Sequence, residues 1–195
     1  MMNQNKNDAS GCEIERFRNS GTFHLLPTIR LGLFHCTTVQ GVRGIIQAGS
    51  IIPNKGKFEF TYPQSANSYA LSKGWISLFD FAGTTEEHCI SQHWKWESFF
   101  ISRTTIKIAL KLDREKLISK LISNSARPRL GHENYKIAIP YVEAWYPEPI
   151  KIQYIYGCLI AFPLREKDNS YEIIEFSLAE FEHYMHRIQN RSSVE

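Results

Sequence analysis

The run "TTIKIALKL", residues 104–112, constrains the fold of this chain more than any other stretch. Ile106, Ile108, Leu110 and Leu112 alternate with smaller or charged residues. A period of two places the four on one face of a β-strand, and a strand with one apolar face needs a sheet and a covering layer. The covering layer is legible in the helical stripes. Val39, Val42, Ile45 and Ile46 fall on one side of a helix that Thr37 or Thr38 can cap and Gly49 can end. Thr84 with Glu87 resembles a capping box opening a helix through "EEHCISQHWKWESFF". Asp113 can cap "REKLISKLIS", with Leu117, Ile118, Leu121 and Ile122 as its stripe. Leu178, Phe181, Tyr184, Met185 and Ile188 form the inward face of a closing helix.

Further strands are expected in "TIRLGLFHCT", "GWISLFDF", "YKIAIPYVEAWY" and "PIKIQYIYGCLIAF", with a loop over residues 53–68. Strands and helices mix without regular βα alternation, so the expected class is α+β, a mixed β-sheet core with flanking helices. A length of 195 residues and a hydrophobic fraction of 43% suit one domain with a sizeable core, assigned to residues 21–195. Residues 1–20, rich in Asn, Ser and charge, are expected to be a flexible lead-in.

The net charge of +3 permits phosphate or nucleic-acid contacts without demanding them. Four scattered cysteines form no CxxC pair, which fits a reducing compartment better than a disulfide framework. No apolar run approaches the roughly 20 residues of a membrane span, and the polar N-terminus lacks a signal-peptide core. A cytoplasmic protein with no membrane partner is expected. His88, Cys89 and His93 in "HCISQH" invite a metal reading, but no second ligand cluster stands at a recognisable spacing, and no metal is expected.

Glycine-rich phosphate loops and the GxSxG elbow are absent. The candidates for chemistry are instead polar residues set inside apolar strand-like runs: His35 in "LFHCT", Ser77 in "WISLFD" and Glu143 in "PYVEAWY". A carboxylate among Tyr141, Val142, Ala144 and Trp145 is costly to bury unless it is paired or faces a cleft. Aromatic walls around a polar group also suit a planar ligand ring.

Taken in order, "LFHCTTVQGVRGIIQAGSIIP", "SANSYALSKGWISLFDF" and "VEAWYPEPIKIQYI" resemble the ADP-ribosyltransferase-fold enzymes over residues 31–156. Those enzymes open with a strand ending in His-x-Thr, a short helix and a glycine-ended turn. The third segment is similar to the glutamate-bearing segment of the DarT-like branch. The resemblance implies an ADP-ribosyltransferase-like core and an NAD-dependent transfer of ADP-ribose to a macromolecule, nucleic acid favoured over protein. It implies a toxin or defence effector, with an antitoxin protein as a further partner. Glu143 takes the catalytic carboxylate's place, and His35, Cys36 and Thr37 fall in the NAD-binding strand. The middle position stays open between Ser77 and Tyr69, since the DarT-like branch has an arginine there and no arginine lies between Arg43 and Arg103. Arg127, Arg129 and His132, ahead of the glutamate's strand, take the acceptor-binding place. The alternative is a degenerate member that binds a nucleotide or a partner without turnover.

Overall fold

The computed structural model describes residues 14–17, 25–55, 66–101, 105–124, 138–165 and 170–191. They form an α+β fold. Its strands are β1 (Ile14–Phe17), β2 (Leu33–Thr38), β3 (Ser50–Ile51), β4 (Ile76–Asp80), β5 (Lys107–Leu112), β6 (Ile122–Ser123), β7 (Glu143–Tyr146), β8 (Ile150–Lys151), β9 (Ile155–Arg165) and β10 (Ser170–Phe176). The helices are α1 (Leu26–Ile29), α2 (Val39–Ala48), α3 (Tyr69–Lys73), α4 (Glu86–Ser91), α5 (His93–Phe100), α6 (Arg114–Leu117) and α7 (Phe181–Arg191).

Eight strands make one sheet in the order β1-β10-β9-β5-β2-β4-β7-β6, and β3 pairs separately with β8. Among the described residues every pairing of these strands is antiparallel, which corrects the expected mixed sheet. The one parallel contact is an isolated bridge between Ile101 and Ala161. The pleat divides the core in two. Leu33, Leu78, Ile108, Leu110 and Leu112 face a layer that includes Val42 and Ile45 of α2 and Phe181, Tyr184 and Met185 of α7. Phe34, Phe79, Phe81 and Ala109 face the opposite layer, with Ile29, Cys89, Trp96 and Phe100.

Thr38 is the cap of α2, accepting from Gly41 N at 3.1 Å, and Gly49 ends the helix at φ 67°. Asp113 caps α6 as expected. Val42 and Ile45 are buried, while Ile46 is exposed. In α7 the expected inward residues Phe181, Tyr184 and Met185 are buried; the Ile188 side chain lies outside the description.

Other boundaries differ from the sequence expectations for local reasons. The first core strand starts only at Leu33, because Pro27 sits in the first turn of α1 and the chain helps itself to a short helix first. The long helix expected after Thr84 is two helices broken at Gln92, and its cap is Thr85, which accepts from His88 N at 3.2 Å. The break lets Trp96 Nε1 donate to Cys89 O at 2.8 Å. The helix α6 stops at Leu117, leaving Ile118 exposed and passing Ile122 to β6. In "YKIAIPYVEAWY", whose residues 135–137 lie outside the described residues, the described part from 138 enters its strand at Glu143, since Pro140 and Tyr141 form a turn. Within the stretch read as a lead-in, Ile14–Phe17 pair with β10 as an edge strand. Among the described residues no helix is long and apolar enough to cross a membrane.

Candidate functional site

The site grows out of an interruption in the sheet. On one edge β2 pairs with β5 through all six of its residues, Leu33–Thr38. On the other edge it pairs with β4 at only two positions, Leu33 with Asp80 and Phe34 with Phe79. Beyond Phe34 this ladder ends, and the sheet forks between β2 and β4.

The closed end of the fork is pinned. Asp80, only 4% exposed, receives Arg114 Nε and Nη2 at 2.8 and 3.1 Å and the backbone N–H of Gly83 at 2.9 Å. A side chain at Gly83 has no room, because its Cβ would lie 2.3 Å from Asp80 Oδ2. The Asp80 carboxylate holds the Arg114 pKa above its ordinary value. Arg30 Nη1 donates to Phe81 O at 2.8 Å and ties α1 to the same corner.

His35 stands on the open side. Its Nδ1 lies 3.1 Å from the carbonyl oxygen of Ser77 across the fork. A carbonyl only accepts, so Nδ1 carries the hydrogen and Nε2 presents a lone pair. Burial lowers the His35 pKa, partly offset by the Ser77 carbonyl, which keeps the ring neutral at physiological pH. Ser77 then extends the connection. Its Oγ donates to Glu143 Oε1 at 2.8 Å. The register makes the pair possible: β7 runs beside β4 with Ser77 opposite Trp145 and Phe79 opposite Glu143, so Ser77 and Glu143 are diagonal neighbours on one face.

Glu143 is 6% exposed and is gripped by further donors. Trp145 Nε1 donates to Oε1 at 3.1 Å, and Ile139 N to Oε2 at 2.7 Å. Residues two apart on a strand share a face, and this brings the Trp145 indole to the carboxylate. Ile139 is itself held: its carbonyl accepts from Glu143 N at 3.2 Å and from Asn124 Nδ2 at 2.5 Å. A buried carboxylate with this many donors is satisfied rather than stranded.

Of the residues singled out in the sequence, His35, Ser77 and Glu143 are thus joined across three neighbouring strands. Tyr69 is close but does not complete that chain; its ring packs on Trp145 with centroids 4.7 Å apart, and its buried hydroxyl has no hydrogen-bond partner among the described residues. Thr37 is buried, with Oγ1 over Gly41, where an added Cβ would come within 2.0 Å of it. Cys36 points away from His35, packing against the Phe34 side of the core, and burial raises its thiol pKa. Arg127, Arg129 and His132 lie outside the described residues.

His88, Cys89 and His93 diverge: His88 stacks on Tyr141, Cys89 is buried, and His93 Nδ1 meets Ile90 O at 3.0 Å. Among the described residues no group of three or more His, Cys, Asp or Glu side chains is placed to hold a metal ion. The sequence reading missed Trp145 as a donor, Asn124 as a buried polar partner, and the Ile139 amide. The spacing of Glu143 and Trp145 on one strand was the available signal for the first; the other two depend on a turn that no periodicity announces.

Comparison with known families, with curated proteins and with solved structures finds no match.

Proposed function

We propose that this chain is an NAD-dependent ADP-ribosyltransferase whose NAD site is the fork between β2 and β4. The observation that carries the reading is the hydrogen-bonded connection of His35, Ser77 and Glu143, in that order, on β2, β4 and β7, from the His35 ring to the Ser77 carbonyl and from the Ser77 hydroxyl to Glu143. The resemblance of the sequence to ADP-ribosyltransferase-fold enzymes supports it, as does an α+β fold built on one large sheet.

The chemistry suits these groups. Breaking the bond between nicotinamide and ribose sends the electron pair out on nicotinamide and builds positive charge on the ribose, as in glycoside cleavage. A carboxylate fixed beforehand by Ser77, Trp145 and the Ile139 amide is an electrostatic partner for that charge. His35, neutral and offering Nε2 as an acceptor, suits a ribose hydroxyl as donor. Ser77 is assigned the middle place over Tyr69, because Ser77 touches Glu143 while Tyr69 touches Trp145. The acceptor then bonds to the ribose carbon and releases its proton to solvent. A nucleic-acid acceptor is the favoured class, on the cationic stretch with Arg127, Arg129 and His132. A toxin or defence role, with an antitoxin as partner, goes with that reading.

Nicotinamide release from NAD by the purified chain is the direct test. Glu143→Gln keeps the shape and removes the charge, so a folded variant is expected to lose on the order of 10²–10³ in rate. Turnover close to that of the parent chain removes Glu143 from the mechanism. A search for ADP-ribose adducts on RNA, DNA and protein then identifies the acceptor.

One observation favours a second reading, a binding module without turnover: the protein's own groups already grip both oxygens of Glu143. Saturable NAD binding with no nicotinamide released on any acceptor selects it.

A further inference from the structure

Tyr141 is the only non-glycine residue of the described chain with a positive φ, at 66°. It stands two positions before Glu143, at the tip of a three-residue turn closed by Val142 N donating to Pro140 O at 2.8 Å. A turn of this kind at positive φ is rare and strained, and a residue with a Cβ stays there only when its surroundings hold it. Tyr141 is 48% exposed, so the core does not hold it. Against it lies His88 of α4, stacked face to face with ring centroids 3.9 Å apart and planes 4° from parallel.

The turn also lies between two backbone groups that meet at the candidate site. Ile139, just ahead of it, donates its N–H to Glu143 Oε2 and accepts from Glu143 N–H, so residues 139–143 close on themselves around the carboxylate. Pro140 limits the freedom of the segment on one side. On the same side, Asn124 Nδ2 donates to the Ile139 carbonyl.

The geometry points to His88 and Tyr141 as a positioning pair: their stack holds the strained turn that keeps the Ile139 amide on Glu143. Neither is a catalytic residue. The positioning itself stands on the geometry alone; only its kinetic consequence rests on the proposed transferase reading. Loss of the stack lets Tyr141 relax toward negative φ, which draws the Ile139 amide off Oε2 and leaves the carboxylate less well aimed. Glycine at position 141 adopts the same φ without strain and needs no stack.

The test is amide hydrogen exchange on the full chain, read at Ile139 and Val142 with Leu110 as a remote core reference. In His88→Ala and Tyr141→Ala, exchange at Ile139 and Val142 is expected to quicken about tenfold while Leu110 stays protected. Tyr141→Phe keeps the ring and is expected to match the parent chain. Tyr141→Gly is expected to recover most of the protection that Tyr141→Ala loses. Unchanged exchange in His88→Ala overturns the proposal, and so does Tyr141→Gly exchanging as fast as Tyr141→Ala. Should Tyr141→Ala lose protection at Leu110 as well, His88→Ala decides, because it removes only a partly exposed ring. In the kinetic arm, kcat for nicotinamide release is expected to fall about tenfold or more in His88→Ala, with KM for NAD unchanged and Tyr141→Gly restoring kcat. A parent chain that releases no nicotinamide defeats the transferase reading and leaves the exchange result to judge the pair.

Discussion

Along one edge β2 holds β5 through six consecutive register pairs, and along the other it holds β4 through two. The strand is the same in both cases, so the difference lies in what faces it. Residues Lys107–Leu112 offer Ile108, Leu110 and Leu112 to one core and Ala109 to the other, and the ladder closes over its full length. On the β4 side, the last pair is Phe34 with Phe79, and the next residues along each strand are His35 and the Leu78–Ser77 step. There a side chain replaces the ladder: the His35 imidazole bonds the Ser77 carbonyl, and Ser77 turns its hydroxyl to Glu143. On the β5 side backbone pairs close the ladder; on the β4 side the His35 ring takes the Ser77 carbonyl where a further backbone pair would stand.

His35 and Leu110 are cross-strand partners, so truncating each one tests the comparison at a single level of the sheet. Leu110 is fully buried, and Leu110→Ala is expected to cost about 2–5 kcal/mol of stability, read as a fall in the denaturation midpoint. His35→Ala is expected to cost only about 1 kcal/mol, the value of one hydrogen bond. On the proposed transferase reading its larger effect falls on binding: KM for NAD is expected to rise about tenfold with a smaller change in kcat, the signature of a lost ground-state contact. Equal destabilisation by the two variants would make the fork an ordinary part of the core. A collapse of kcat at constant KM in His35→Ala would move His35 from binding into the chemical step.

The smallest expected effect is on pH dependence. Burial lowers the His35 pKa from the ordinary value of 6.5, so the unfolded chain binds more protons than the folded one just below that value. The contribution to stability is therefore fully present above about pH 6.5 and is lost as pH falls below it toward the folded pKa. Denaturation midpoints taken across this range should decline less steeply in His35→Gln than in the parent chain. Identical slopes would mean that the imidazole is as well solvated in the folded chain as in the unfolded one.

The polar connection of the candidate site was legible in the sequence, because burying polar groups is costly. His35, Ser77 and Glu143 stood out as polar residues inside apolar strands, and each one found a partner in another of the three. Tyr69 was read as an alternative to Ser77, and only the β4–β7 register separates them: it sets Ser77 diagonal to Glu143 and leaves Tyr69 against the Trp145 ring. His88 was read with Cys89 and His93 for their spacing, but its partner is Tyr141, more than fifty residues away in the chain. Nothing in a local window announces such a stack.

What the sequence determined by itself is what depends on neighbours along the chain. The alternation over Ile106–Leu112 made a strand, the stripes of α2 and α7 made its cover, and the Thr38 and Gly49 termini bounded a helix, because pleat, helical period and capping act within a few residues. The tertiary structure decided what depends on distant partners: that β2 closes against β5 and opens against β4, that Asp80 meets Arg114 at the corner of the fork, and that Tyr141 takes a positive φ under His88. Those outcomes follow from competition among strand edges, buried charges and rings far apart in the sequence. Only the folded chain brings the competitors within range of one another.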